Sequence, residues 1–383
     1  MPPSNKQIVT FGSAPVSPYS VAVKAGGFIY LSGTLAEDLD DDSAPDSGIG
    51  AETRQTLERL RDVLHAAGSS LDDVVAVMVY LTSASDFQAM NQAYRAFWPG
   101  DPPTRTTVIT TLVVPDARIE ISMVAVPRGS ERVVVLPDGW KPSANPYSYA
   151  IRSGGTLFLS GLVARRGADN TFVQGDVRVQ TRTIMENAGQ LLEAAGLTFR
   201  DVVSARIYLT SASDFTAMNE VYREFFPEAP PARATVQSGL AGPEAVVEIT
   251  FVAASATRQA IGAPPPGIPI SPAIRAGGHL YVSGMLGNTP ATAGDVAAQT
   301  RETLAKIGRT LAEAGVSPAD VVEGLVYLTD AASFGTMNAE YRAFFGADFP
   351  ARATVVTPLV AGDALVEIMV TAVMGSDRGQ TPV

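Results

Sequence analysis

Val79-Tyr80-Leu81-Thr82 is written twice more in this chain, as Ile207-Tyr208-Leu209-Thr210 and as Val326-Tyr327-Leu328-Thr329. Upstream of it, Leu31-Ser32-Gly33 returns as Leu159-Ser160-Gly161 and Val282-Ser283-Gly284. Downstream, Met90-Asn91 with Tyr94-Arg95 returns as Met218-Asn219 with Tyr222-Arg223 and Met337-Asn338 with Tyr341-Arg342. Arg105, Arg233 and Arg352 close the series, each followed fifteen positions later by Glu120, Glu248 and Glu367. Ser32 and Ser160 stand 128 positions apart, as do Glu120 and Glu248. Between the second and third copies the offset is 123 at the serine and 119 at the arginine, so the third copy lacks four residues between Gly284 and Thr300. Units this long are whole domains and not solenoid repeats. The expected division is 1–130, 131–258 and 259–383.

The second copy shows what one unit folds into. Thr156–Ser160 is a short apolar run leaving Gly154-Gly155, which reads as a strand after a turn. From Val177, apolar residues at Ile184, Ala188, Leu191, Leu192 and Ala195 form the stripe of an amphipathic helix that Gly196 ends. Val202–Thr210 is strand-like. Asp214 is expected to cap a second helix, with Phe215, Met218, Tyr222, Phe225 and Phe226 on one face and Pro230-Pro231 breaking it. Two strands follow, Ala234–Ser238 and Ala245–Ala254. The unit is therefore α+β, with two helices over one face of a mixed sheet. In the last strand Val247, Ile249, Phe251 and Ala253 face one way, and Val246, Glu248, Thr250 and Val252 the other. Neither side looks solvated. Three sheets around a pseudo-threefold axis would bury the second faces against one another, so the chain is expected to act as a monomeric pseudotrimer.

Composition narrows the chemistry. Of 383 residues, 46% are hydrophobic and 17% charged, enough apolar content for several cores. The net charge of -11 offers no general attraction to a phosphate backbone, so nucleic acid is not an expected partner. With no cysteine, disulfides, thiolate catalysis and cysteine-containing zinc sites are excluded. His65 and His279 do not recur, which excludes a repeated His-based triad. The acidic run Asp38, Asp40, Asp41 and Asp42 lacks calcium-loop spacing and reads as a solvated loop. The start, Met1-Pro2-Pro3-Ser4-Asn5-Lys6, has no apolar targeting core, and no uncharged apolar run of about 18 residues follows; a soluble cytoplasmic protein without a membrane partner is expected.

The repeated arginines and glutamates are the candidates for a site. A carboxylate inside an apolar strand is costly unless it is paired or hydrogen-bonded. On spacing alone, the expected reading is an ion pair within each unit or with a neighbouring domain. The functional reading is a guanidinium that grips a ligand carboxylate by two parallel hydrogen bonds, with the glutamate handling a water. Ser-Gly after a strand reads first as a turn. Tyr80, Tyr208 and Tyr327 read as packing, and Asn91, Asn219 and Asn338 as local hydrogen-bonding devices or ligand contacts.

Taken in order, Pro-Tyr-Ser, Ser-Gly, Ala-Gly closing a helix, Asp-Val-Val, Tyr-Leu-Thr, Asp-Phe, Met-Asn-x-x-Tyr, Pro-Ala-Arg-Ala-Thr-Val and Val-Glu-Ile resemble the RidA (YjgF/YER057c/UK114) family across nearly all of each repeat. The resemblance implies a chorismate-mutase-like fold, trimeric assembly and ligand clefts between subunits. It also implies cofactor-independent hydrolysis, without a metal, of small reactive 2-imino or enamino acids to 2-oxo acids and ammonia. Position by position, the carboxylate-binding arginine falls on Arg105, Arg233 and Arg352, and the water-handling glutamate on Glu120, Glu248 and Glu367. The early tyrosine falls on Tyr19 and Tyr147, and the cleft-lining pairs on Ser32-Gly33, Ser160-Gly161 and Ser283-Gly284. The helix asparagine falls on Asn91, Asn219 and Asn338.

Two departures stand out. Thr107, Thr235 and Thr354 take a position where the family often has cysteine, which is expected to reshape the pocket more than the mechanism. Ile270 stands where Tyr19 and Tyr147 do, so the cleft built with that segment is expected to be weakened or altered in specificity. The expected activity is a 2-iminobutanoate/2-iminopropanoate deaminase. The alternatives are a non-catalytic module for small carboxylates and a specialised pathway deaminase acting on aminomuconate-like acids. A ribonuclease fits the acidic balance least well.

Overall fold

The computed structural model describes residues 6–36 and 48–374; the acidic run at Asp38–Asp42 lies outside them. Three mixed sheets carry the fold. The first runs, in spatial order, Gln7–Val9, Ala22–Ala25, Phe28–Thr34, Ile119–Ala125, Val74–Leu81, Thr104–Ile109 and Gly239–Leu240. The second runs Ala232–Gln237, Val202–Leu209, Val247–Ala254, Thr156–Leu159, Ala150–Ser153 and Val133–Val135. The third runs Gln259–Ile261, Ala273–Ala276, His279–Leu286, Val366–Val373, Val321–Leu328, Ala351–Val356 and Thr111–Leu112. In each sheet the Tyr-Leu-Thr strand pairs in parallel with the strand that carries the arginine and antiparallel with the strand that carries the glutamate.

Two helices lie on each sheet: α1 (Ile49–Ala66) and α2 (Phe87–Arg95), α3 (Val177–Ala194) and α4 (Phe215–Phe225), then α5 (Val296–Glu313) and α6 (Phe334–Phe345). Asp176 caps α3 through the Val179 N–H at 3.0 Å, and Asp295 caps α5 through the Ala298 N–H at 2.9 Å. The expectation that Asp214 caps α4 is not met. Asp214 already has helical backbone angles and its side chain makes no capping bond. A short 3₁₀ turn, Ala212–Asp214, precedes α4, and Ser211 accepts the Ser213 N–H there. The α3–α4 layer encloses a core that includes Ile184, Leu191, Met218 and Tyr222 over Ile207 and Ile249. Equivalent cores fill the other two units.

The second faces meet on the axis. Tyr80, Tyr208 and Tyr327 converge there with Met78, Leu325 and Val236, a cluster drawn from all three units. The Tyr208 and Tyr327 hydroxyls approach to 3.5 Å. The sheets also lend each other edges in a closed cycle. Thr111–Leu112 pairs with Ala351–Val356 of the third unit, and Gly239–Leu240 with Thr104–Ile109 of the first. Leu359 bridges to Val236 of the second. Edge strands that would otherwise expose unpaired N–H and C=O groups are thereby covered.

These borrowed edges hold the units in register. Leu240 is 7% exposed within the axial cluster. Leu240→Ala is expected to lower the unfolding free energy by about 2–5 kcal/mol, read from urea denaturation. A loss below 1 kcal/mol would mean the lent strand contributes little.

Candidate active clefts

Each arginine is the second residue of its strand and is almost sealed: Arg105, Arg233 and Arg352 are 4%, 2% and 5% exposed. The glutamate fifteen positions on is not its partner. Each arginine instead faces the glutamate of the next unit around the axis: Arg105 faces Glu248, Arg233 faces Glu367 and Arg352 faces Glu120. The expected ion pair is also absent. Among the described residues, no carboxylate forms a salt bridge with any of the three guanidiniums. The charges interact without forming a salt bridge.

The Ser-Gly pairs make the seam. They are not turns: in the first and third sheets the pairing register slips there, between Leu31 and Thr34 and between Val282 and Met285. The Ser160, Ser283 and Ser32 hydroxyls accept the backbone N–H of Arg105, Arg233 and Arg352 across the interface at 2.9, 2.8 and 2.8 Å. Each also donates to a carbonyl of its own unit, Ser148, Ser271 or Ser20, at 2.6 Å. The hydroxyls are thus engaged on both sides of the seam. The glycines have a separate reason to be glycine. A Cβ on Gly33, Gly161 or Gly284 would sit 1.8–1.9 Å from Oε1 of Glu120, Glu248 or Glu367. The missing side chain is the room the carboxylate occupies.

Thr107, Thr235 and Thr354 join this arrangement from the arginine strand. Their backbone N–H groups donate to Glu248, Glu367 and Glu120, while their hydroxyls are buried without a protein partner. Burial pushes each glutamate carboxyl up to about 8, and the arginine and threonine N–H pull it only partly back. Burial also lowers each arginine from its ordinary value, although guanidinium remains the cation.

An aromatic cage that sequence reasoning passed over surrounds each guanidinium. Arg105 lies over Tyr94 and Phe87, at 4.8 and 5.7 Å from the ring centres. Arg233 has Tyr222 and Phe215, and Arg352 has Tyr341 and Phe334. A phenylalanine and a tyrosine seven apart on one helix face are the available signal, and the same pattern marks an ordinary core-facing stripe. The early tyrosines complete the cage from the neighbouring unit: Tyr147 lies 5.7 Å from Arg105 and Tyr19 lies 5.9 Å from Arg352.

The three clefts differ where the sequence departed. Ile270 holds the place of those tyrosines in the same backbone turn, since Tyr19, Tyr147 and Ile270 each donate N–H to the carbonyl two residues earlier. Arg233 therefore has no third ring. Its Nη1 donates instead to Asn219 Oδ1 at 2.8 Å. Asn91 turns to Asn145, at 3.3 Å, and Asn338 Oδ1 has no protein partner. Among the described residues no group of His, Asp or Glu could hold a metal ion, and no helix is long and apolar enough to cross a membrane.

Known proteins share this framework. The family described as endoribonuclease L-PSP matches residues 11–127, 140–255 and 260–374. A RutC family protein of Pyrococcus horikoshii is 37% identical over 123 residues, 32% of this chain and 97% of that protein. The 3-aminoacrylate deaminase RutC of Acinetobacter baylyi is 37% identical over 120 residues, 31% of this chain and 95% of that protein. A crystal structure of a chorismatase aligns with a TM-score of 0.55 at 19% identity, covering 79% of this chain and 93% of that one, a likeness of fold.

The elevated carboxyl groups leave a signature in stability. A glutamate that stays neutral to about pH 8 when folded but titrates near 4.5 when unfolded favours the folded state most below pH 4.5. That contribution fades as pH rises to about 8 and is level beyond it. The Glu120→Gln/Glu248→Gln/Glu367→Gln variant is expected to gain thermal stability relative to the parent across this window; parallel pH profiles of the two proteins would refute the assignment. Gly161→Ala is expected to displace Glu248 and flatten part of the same profile.

Proposed function

The chain belongs to the endoribonuclease L-PSP family, also called RidA or YjgF/UK114, and we propose that it hydrolyses small 2-imino or enamino acids to 2-oxo acids and ammonia. The observation that carries this reading is the buried guanidinium that no carboxylate among the described residues bridges, set opposite a glutamate with an elevated pKa. An unpaired buried cation is costly, and a ligand carboxylate would complete it with charge-assisted hydrogen bonds. RutC of Acinetobacter baylyi, which carries the deaminase description, supports the same class of chemistry.

In this reading Arg105, Arg233 or Arg352 grips the substrate carboxylate and so orients the adjacent C=N carbon. The ionised glutamate of the next unit accepts a proton as water forms the new C–O bond, while the imine nitrogen gains a proton. The resulting carbinolamine loses ammonia as its C–N bond breaks and the carbonyl forms. The threonine hydroxyls at 107, 235 and 354, the asparagines at 91 and 338 and the hydroxyls of Tyr94, Tyr222 and Tyr341 are among the polar groups left for the ligand. The clefts at Arg105 and Arg352 have the full aromatic cage. The cleft at Arg233 swaps a ring for Ile270 and engages its guanidinium with Asn219, which makes it the weakest or most altered of the three.

Substrate generated in place from an amino-acid oxidase reaction, with ammonia or 2-oxo acid release followed, tests the proposal. Changing all three arginines to alanine is expected to lower kcat/KM by about 10- to 100-fold. An undiminished rate in that variant refutes the arginine role. Ligand-induced thermal stabilisation by 2-oxo acids without turnover would select the non-catalytic carboxylate-binding reading. Because only the ionised glutamate takes the proton, kcat/KM is expected to rise with pH through about 8. Variants that keep one arginine each should rank Arg105 and Arg352 above Arg233, and equal rates would show that the early tyrosine is dispensable.

A further inference from the structure

A second polar site lies away from the clefts, on the pseudo-threefold axis. Phe28, Tyr30, Phe158 and Tyr281 wall a cavity into which Arg206 and Glu323 project, with room for water-sized molecules over about 70 Å³. That suffices for roughly five waters, or for a molecule of similar heavy-atom count.

The charged pair breaks the threefold pattern. Where the second unit has Arg206, the others have Met78 and Leu325; where the third has Glu323, the others have Ala76 and Ser204. Thr371, which donates to Glu323 Oε2 at 3.2 Å, replaces Val124 and Val252. Three departures from an otherwise uncharged lining converge on one corner. The fold does not need them, because the sister positions pack without charge.

The pair is also poorly made for a structural lock. Arg206 Nη2 and Glu323 Oε2 stand 3.6 Å apart, against about 2.7–2.9 Å for a closed charge-assisted hydrogen bond. Glu323 Oε2 takes both this contact and the Thr371 hydroxyl. About a quarter of each side chain is accessible, 25% for Arg206 and 24% for Glu323, although both are on the axis. The guanidinium has five N–H donors, and Glu323 is its one ion-pair partner among the described residues.

We propose that this axial cavity binds a small α-amino acid as its zwitterion, carboxylate on Arg206 and ammonium on Glu323. Two opposite charges a few ångströms apart match two ligand charges separated by one carbon. A ligand of zero net charge brings less desolvation cost than an ion. The aromatic walls with Met123 and Val252 would receive a short side chain. The site is distinct from the clefts: none of the three repeated arginines or glutamates lines it.

Calorimetry and thermal shift with glycine, L-alanine and L-serine on the full chain test the proposal, with propionate and ethylamine as single-charge controls. The amino acids are expected to bind saturably and at least tenfold more tightly than either control. Arg206→Met and Glu323→Ser, residues already tolerated at the sister positions, are each expected to weaken binding at least tenfold. The double variant restores a neutral lining and serves as the folded reference. The Arg105→Ala/Arg233→Ala/Arg352→Ala variant should bind the amino acids undiminished, which separates this site from the clefts and from their deaminase reading. Binding that survives the axial double variant, binding lost in the triple arginine variant, or a crystal structure soaked with L-alanine that shows ordered water only, would overturn it.

Discussion

Every sheet in this protein has two apolar faces and only two helices to cover them. That shortage is what the rest of the molecule answers. The helix layers seal one face of each sheet, and the other faces are excluded from water only by closing three sheets on one another. Closure places the arginine strand of one unit against the Ser-Gly bulge of the next, and the backbone bond from arginine to serine holds that seam. The candidate sites are therefore a product of assembly. No unit holds both a guanidinium and the glutamate that it faces.

The same geometry sets the electrostatics. A guanidinium and a carboxylate brought in by different units are both nearly sealed, yet they form no salt bridge among the described residues. Burial raises the carboxyl toward neutrality and leaves the cation in want of a partner. Glycine at the bulge makes room for the carboxylate, and a side chain there would close it. Fusion of the units adds freedom of another kind: each seam can change by itself. Ile270 has altered one cleft and the Arg206–Glu323 pair one corner of the axis, where identical chains would have repeated each change three times.

The division between what was written locally and what was not follows specific residues. The periodicity of Ile184, Ala188, Leu191 and Leu192 specified α3, and alternation along Val247–Ala254 specified a strand with no solvated face. The role of Asp214 was misjudged because a 3₁₀ turn starts the helix one step earlier, with Ser211. The Phe87 and Tyr94 cage was hidden because an aromatic stripe on a helix has the same pattern whether it packs on a core or on a buried cation.

By itself the sequence determined three copies of an α+β unit and the chemical inventory any repeated site must use, since repetition and hydrophobic period are local properties. Only the tertiary structure decided which arginine meets which glutamate. Arg105 and Glu120 share a repeat, yet Arg105 faces Glu248 and Glu120 faces Arg352. Spacing along the chain carries no record of which units become neighbours around the axis; that is set by how three half-covered sheets close on one another.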